Sequence, residues 1–166
     1  MRLTRALCTL GGVGLIRPAP GTWGTAAALP LGYLIHALAG FPGLVIATLL
    51  ATAIGIWAIG REEAATGNHD ASEIVIDELV GVWIALWPLS GGLWHAGLGP
   101  WVFPWPGWIG AFAFFRLFDI WKPGPVGWAD RQPGAIGVMM DDVIAGLFAA
   151  VVIAAAAAIA HGVFGI

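Results

Sequence analysis

Charge is what this chain has least of. Only 10% of its 166 residues are Asp, Glu, Lys or Arg, where a soluble domain carries about 25%. From Val143 to Ile166 no side chain bears a permanent charge. A single cysteine, Cys8, excludes an intrachain disulfide, and no Cys/His spacing suggests zinc. There is no basic run, and the net charge is −3, so a nucleic-acid partner is not expected. The apolar N-terminal stretch after Arg2 and Arg5 is broken by Gly11, Gly12, Gly14 and Arg17, and no small-x-small cleavage site follows. We read it as an amphipathic or irregular lead-in rather than a signal peptide. No internal repeat and no soluble appendage is visible.

What is present is hydrocarbon: 59% of residues are hydrophobic, and mean hydropathy is +0.86. This is the composition of an integral membrane protein, and the length suits one domain over residues 1–166. Apolar stretches fall near 25–40, 43–60, 79–94, 107–118 and 143–163. A crossing helix needs about 20 apolar residues, so the second and fifth qualify, while the others are short or partly re-entrant. The expected fold is an all-α, integral membrane helical bundle of about five hydrophobic segments. Pro42, Pro88 and the run "GPWVFPWPGW" (99–108) punctuate the connections. The tryptophans of that run suit a membrane–water interface.

If five spans alternate from a cytoplasmic N-terminus, all seven basic and ten acidic residues fall in inner segments or at the helix ends beside them. Positive-inside bias accounts for Lys and Arg only. The acids, which that bias leaves free, keep to the same side. Segment 68–81 offers His69, Asp70, Glu73, Asp77 and Glu78; as a helix it would put Asp70, Glu73 and Asp77 on one face. Segment 114–125 sets Arg116, Asp119 and Lys122 at successive i+3 steps before Pro123 and Pro125 stop the helix. Segment 130–142 is a glycine-containing loop leading from Asp130 to Asp141 and Asp142. A fourth segment, "RPAPGTWGT" (17–25), includes Thr22 where the first span begins, and a helix N-terminus there suits a phosphate.

Blander readings exist for each piece. Asp141–Asp142 and Asp77–Glu78 can cap helices, and Arg116 and Lys122 can snorkel from a helix end. Arg61, Glu62 and Glu63 read as a solvated face outside the site, and His36, His95 and His161 as interfacial. Capping explains one carboxylate per helix, not two adjacent acids at each of two helices together with Asp119. Five hard oxygen ligands beside two bases point to a divalent cation, most plausibly Mg²⁺, with phosphate oxygens completing its shell and Arg116 and Lys122 meeting the remaining phosphate charge.

Four blocks carry a family resemblance: "APGTWGTAAALP" (19–30), "HDASEIVIDELVGVWI" (69–84), "FFRLFDIWKPGPVGWADR" (114–131) and "GAIGVMMDDVIAG" (134–146). In this order they resemble the phosphatidylglycerophosphatase A family of bacterial lipid phosphatases. The resemblance implies Mg²⁺-dependent hydrolysis of the terminal phosphate of phosphatidylglycerophosphate, giving phosphatidylglycerol, in the bacterial inner membrane with the site facing the cytoplasm. It implies that Asp77, Glu78, Asp119, Asp141 and Asp142 carry metal and catalysis. Thr22, Arg116 and Lys122 are expected to bind the substrate phosphate, and His69, Asp70 and Asp130 to support them. The competing readings are a phosphatase for another phospholipid monoester and an ion-coupled transporter. A transporter predicts acids at mid-membrane depth, whereas these bunch at one end.

Overall fold

The computed structural model describes residues 2–68 and 71–164; His69 and Asp70 lie outside it. Among the described residues the regular structure is entirely helical. The lead-in forms α1 (Leu3–Cys8) and a 3-10 turn (Leu10–Leu15), and is tied down where the Val75 N–H donates to the Cys8 carbonyl at 2.8 Å. Helix α2 (Pro20–Thr66) opens with proline in its first turn and closes at Gly67 in the left-handed region, each residue type at the end that favours it.

Midway along α2, Gly40 leaves helical geometry at φ 64°, ψ −164°, with Pro42 just after it. Side-chain contacts show that the chain reverses there. The first arm climbs beside α3 (Ile76–Ala85) and α4 (Trp87–His95): the Trp83 indole donates to the Ala28 carbonyl at 2.9 Å, and His36 Nδ1 meets Ser90 Oγ at 2.7 Å. The second arm descends the same pair, with Trp87 Nε1 donating to Thr48 Oγ1 at 3.3 Å and Gly55 set against Ile76. The apolar stretches 25–40 and 43–60 are therefore two antiparallel arms of one helical hairpin.

Helices α3 and α4 bend by 42° where they meet at Leu86, next to Pro88. Helix α5 (Trp105–Trp121) ends as Lys122 turns left-handed before Pro123. A short α6 (Pro125–Asp130) leads into α7 (Gly134–Phe164). Helix α3 is the axis of the bundle: nearly every residue from Ile76 to Ala85 is buried, as expected of a helix that is apolar all round beyond its first turn.

Large apolar side chains also cover the outside, among them Leu38 (72% exposed), Ile46, Leu49 and Leu50 on α2 and Val151 (69%) on α7. A surface with this many exposed apolar side chains suits hydrocarbon as its solvent. Helices α2 and α7 are each long and apolar enough to cross a membrane, and the bent α3–α4 pair makes a third such element. His36 stands at the end away from the carboxylates and is buried against Ser90 inside the bundle, while His95 is exposed.

Candidate active site

Helix α3 begins at Ile76, and residues 71–75 form a turn and irregular backbone. Glu73 and Asp77 therefore do not share the expected helical face, and Asp70 lies outside the described residues. Glu73 instead pairs with Arg5 at 2.9 Å. Asp77 and Glu78 occupy the first turn of α3, where the helix dipole favours acids.

Asp141 and Asp142 stand elsewhere than expected. Helix α7 starts at Gly134, so the pair lies about two turns inside it, not at its cap. Capping cannot account for them. Both are buried (7% and 3% exposed), as is Asp77 (8%). What brings them to α3 is a close glycine crossing. Gly146 and Gly81 pack backbone to backbone, so that a Cβ on Gly146 would stand 2.3 Å from the Gly81 carbonyl oxygen. Small residues at a crossing let two helix backbones approach, and here they carry Asp142 alongside Asp77 and Glu78.

The outcome is two carboxylate triads that share Asp142. Asp77, Glu78 and Asp142 offer one set of oxygens, and Asp119, Asp141 and Asp142 a second; within each set the atoms lie within 4.8 Å of one another. Two carboxylate charges at that spacing repel by about 3.5 kcal/mol at an effective dielectric near 20. Oxygens on opposite sides of a Mg²⁺ ion stand about 4.2 Å apart at ordinary bond lengths, so either triad fits a divalent cation with little movement. Glu78 Oε2 is buried and has no hydrogen-bond partner among the described residues, and the same holds for Arg116 Nε. A buried carboxylate oxygen without a partner calls for a cation or a water.

Two basic groups edge the cluster. Arg116 donates to the Asp119 carboxylate and stands 4.0 Å from Glu78. Lys122 donates to Asp130, and to Asp141 at 3.0 Å. Partial burial works against its charge, but the Asp130 and Asp141 carboxylates outweigh that and hold it well above the usual lysine value. Lys122 thus stays cationic at any working pH.

Lys122, Asp77 and Asp141 border two cavities. One, of about 270 Å³, opens toward Arg116, Asp119 and the start of α2. There the wall is Ala19, Pro20 and Gly21, and Thr22 is not part of it. Gly21 lies so close to the cluster that a Cβ would sit 2.2 Å from Glu78 Oε1. The other, about 260 Å³, opens toward Gln132 and Glu63. Glu63 overturns the solvated-face reading: it is only 8% exposed and shares that cavity with Asp77 and Asp141. The available signal was its register, since it continues the buried stripe Gly55, Ile59 along the second arm of α2. Arg61 is exposed as expected, and Glu62 accepts a hydrogen bond from Thr4 at 2.7 Å.

Of the predicted site residues, Asp77, Glu78, Arg116, Asp119, Lys122, Asp130, Asp141 and Asp142 converge at one end of the bundle. His36, Gly40, Trp94 and the exposed Trp101 stand at the other.

A family profile described as phosphatidylglycerophosphatase A matches residues 6–157. A phosphatidylglycerophosphatase A of Haemophilus influenzae is 39% identical over 143 residues, covering 86% of this chain and 81% of that protein. One from Escherichia coli is 36% identical over 141 residues, covering 84% and 74%. A Bacteroides thetaiotaomicron protein, provisionally named a phosphatidylinositol-3-phosphatase, is 39% identical over 152 residues, covering 87% of each. No solved structure matches significantly. With the profile spanning nearly the whole chain and two relatives of that name aligned across the site, this chain belongs to the phosphatidylglycerophosphatase A family.

Proposed function

We propose that this chain hydrolyses the terminal phosphomonoester of phosphatidylglycerophosphate to phosphatidylglycerol and phosphate, with Mg²⁺ as cofactor. The observation that carries the reading is the pair of carboxylate triads joined at Asp142, flanked by Arg116 and Lys122 at one end of an apolar bundle. A transporter has no use for acids gathered at one end. A lipid phosphatase needs them there, because its substrate presents phosphate at the membrane surface.

Asp77, Glu78, Asp119, Asp141 and Asp142 would hold Mg²⁺, which when bound supplies Lewis-acid polarisation of phosphate and water. Gly21, at the start of α2, permits close approach of the phosphate to the cluster. Arg116 and Lys122 balance charge that grows on the phosphoryl oxygens as water attacks. A carboxylate of the cluster takes the proton of that water. The bond from phosphorus to the glycerol oxygen breaks, and the departing alkoxide takes a proton to become the product hydroxyl. Asp130 acts by positioning Lys122.

All five apolar helical segments, counting the two arms of α2 separately, would traverse or enter the bilayer of the bacterial inner membrane. The charged end would face the cytoplasm by the positive-inside bias. The test is phosphate release from phosphatidylglycerophosphate in mixed micelles, with Mg²⁺ and with a chelator. Metal-dependent release that is lost in Asp142→Asn and Asp77→Asn is expected; wild-type turnover in both variants would sink the assignment. The name of the Bacteroides relative motivates a second substrate in the same assay, phosphatidylinositol 3-phosphate, and faster release from it would move the reading to another phospholipid monoester.

A further inference from the structure

The cavity of about 270 Å³ has a second polar edge. Ser72 lines it together with Ala19, Pro20 and Gly21, and is itself exposed, so it stands at the cavity mouth. Arg17 Nη1 donates to Ser72 Oγ at 3.1 Å. The lead-in brings the two together: Gly14 packs so closely on the segment before α3 that a Cβ would sit 2.1 Å from the Glu73 carbonyl oxygen. The loop after Arg17 is pinned in turn, since the Trp23 indole donates to the Pro18 carbonyl at 3.0 Å. Arg5 is paired with Glu73, and Arg116 and Lys122 with acids of the cluster. Arg17 is exposed and has no carboxylate within ion-pair distance among the described residues.

We infer that Arg17 and Ser72 bind the bridging phosphodiester of the phospholipid substrate, as a second phosphate subsite beside the catalytic one. The inference rests on the lipid-phosphatase reading above and deepens it. Phosphatidylglycerophosphate carries two phosphates: the terminal monoester that is cleaved, and the diester that joins its headgroup glycerol to the lipid. The path between the two phosphorus atoms has as many bonds as two residues of extended chain, roughly 7 Å. When the monoester meets Arg116 and Lys122, the diester must therefore lie in the same cavity or at its mouth. It keeps a negative charge at any working pH. Among the buried acids, five carboxyl groups face two bases, and both bases are already engaged. A further anion is repelled there. At the mouth, the Arg17 guanidinium and the Ser72 hydroxyl offer it donors, the first of them charge-assisted and shaped for two phosphate oxygens.

The experiment measures initial rates on dioleoyl phosphatidylglycerophosphate in micelles of an uncharged detergent, with the substrate's surface mole fraction varied. Arg17→Gln should raise KM about tenfold, as loss of one charge-assisted bond predicts, while kcat stays within about twofold. Arg17→Lys keeps the charge and should recover part of that loss. Arg61→Gln removes an exposed arginine that lines neither cavity, and should leave both constants alone. A KM within about twofold of wild type in Arg17→Gln would overturn the inference. An equal rise in Arg61→Gln would also overturn it, by making the effect one of general surface charge. So would a fall in kcat at unchanged KM, which would make Arg17 a support for the start of α3. Dioleoyl phosphatidylglycerol, which keeps the diester and lacks the monoester, gives a second readout. It should compete with substrate about tenfold less well in Arg17→Gln than in wild type, and equal competition in both would refute the subsite. No phosphate release from any lipid by the wild type would instead refute the activity itself, so the two failures are distinguishable.

Discussion

Asp142 is the residue on which the candidate site turns, because it alone belongs to both triads. Asp142→Asn removes one charge from each at nearly constant volume. Turnover should fall by about two orders of magnitude or more, with helicity by circular dichroism retained. If Mg²⁺ binds here, saturating metal should raise the melting temperature of the wild type by mass action and that of Asp142→Asn far less. Gly21→Ala tests a different point. Its new methyl would collide with the tip of Glu78, a flexible group that can move aside without unfolding the protein. Thermal stability should therefore change little while turnover drops about tenfold or more, as a displaced ligand predicts. The carboxylates were legible in the sequence because paired acids are conspicuous in an apolar chain. Gly21 and Glu63 were not: a glycine carries no chemical signal, and the acid was hidden in a local charge cluster.

Between helices, the contact that matters most is the Gly81–Gly146 crossing. A side chain at either position must push α3 and α7 apart, since the facing atoms include the carbonyl oxygens of Gly81 and Asp142 and the ring of Phe115. Gly146→Val should destabilise the folded protein by about 1–3 kcal/mol. It should also cost turnover beyond what the lost stability explains, because it separates Asp142 from Asp77 and Glu78. Thermal denaturation in detergent and initial rates on the same preparation measure the two effects. The apolar stretches themselves were readable from hydropathy, and all five are helical. Their starting points were less so. Helix α3 begins at Ile76, leaving Glu73 to pair with Arg5, and α7 begins at Gly134, which moved Asp141 and Asp142 from the cap to the interior. Such boundaries depend on tertiary contacts, here the Val75–Cys8 backbone bond and the packing of α7 on α3.

Across the whole molecule, the carboxylate cluster sits at one end and Trp94 and Trp101 at the other, with Trp23, Trp121 and Trp128 exposed near the cluster, and the placement of the charges predicts an orientation. Cysteines introduced at Arg131, beside the acidic end, and at Leu98, beside the tryptophans, should react with an impermeant maleimide from opposite sides of the membrane. Arg131→Cys should label only in inverted vesicles and Leu98→Cys only in spheroplasts. The native Cys8 should stay silent in both, since its thiol is buried and pushed up to about 11, chiefly by that burial and then by the nearby Glu62 and Asp77 charges. Labelling of both positions from one side would refute the five-segment arrangement.

Composition alone determined that this chain dissolves in lipid, since 10% charge cannot cover a water-facing surface, and residue order alone gathered the charges toward one end. Which carboxylates share an ion-sized space was decided only by tertiary structure. That depends on how closely α3 and α7 approach, and the approach is set by the absence of side chains at Gly81 and Gly146, where hydropathy has nothing to report.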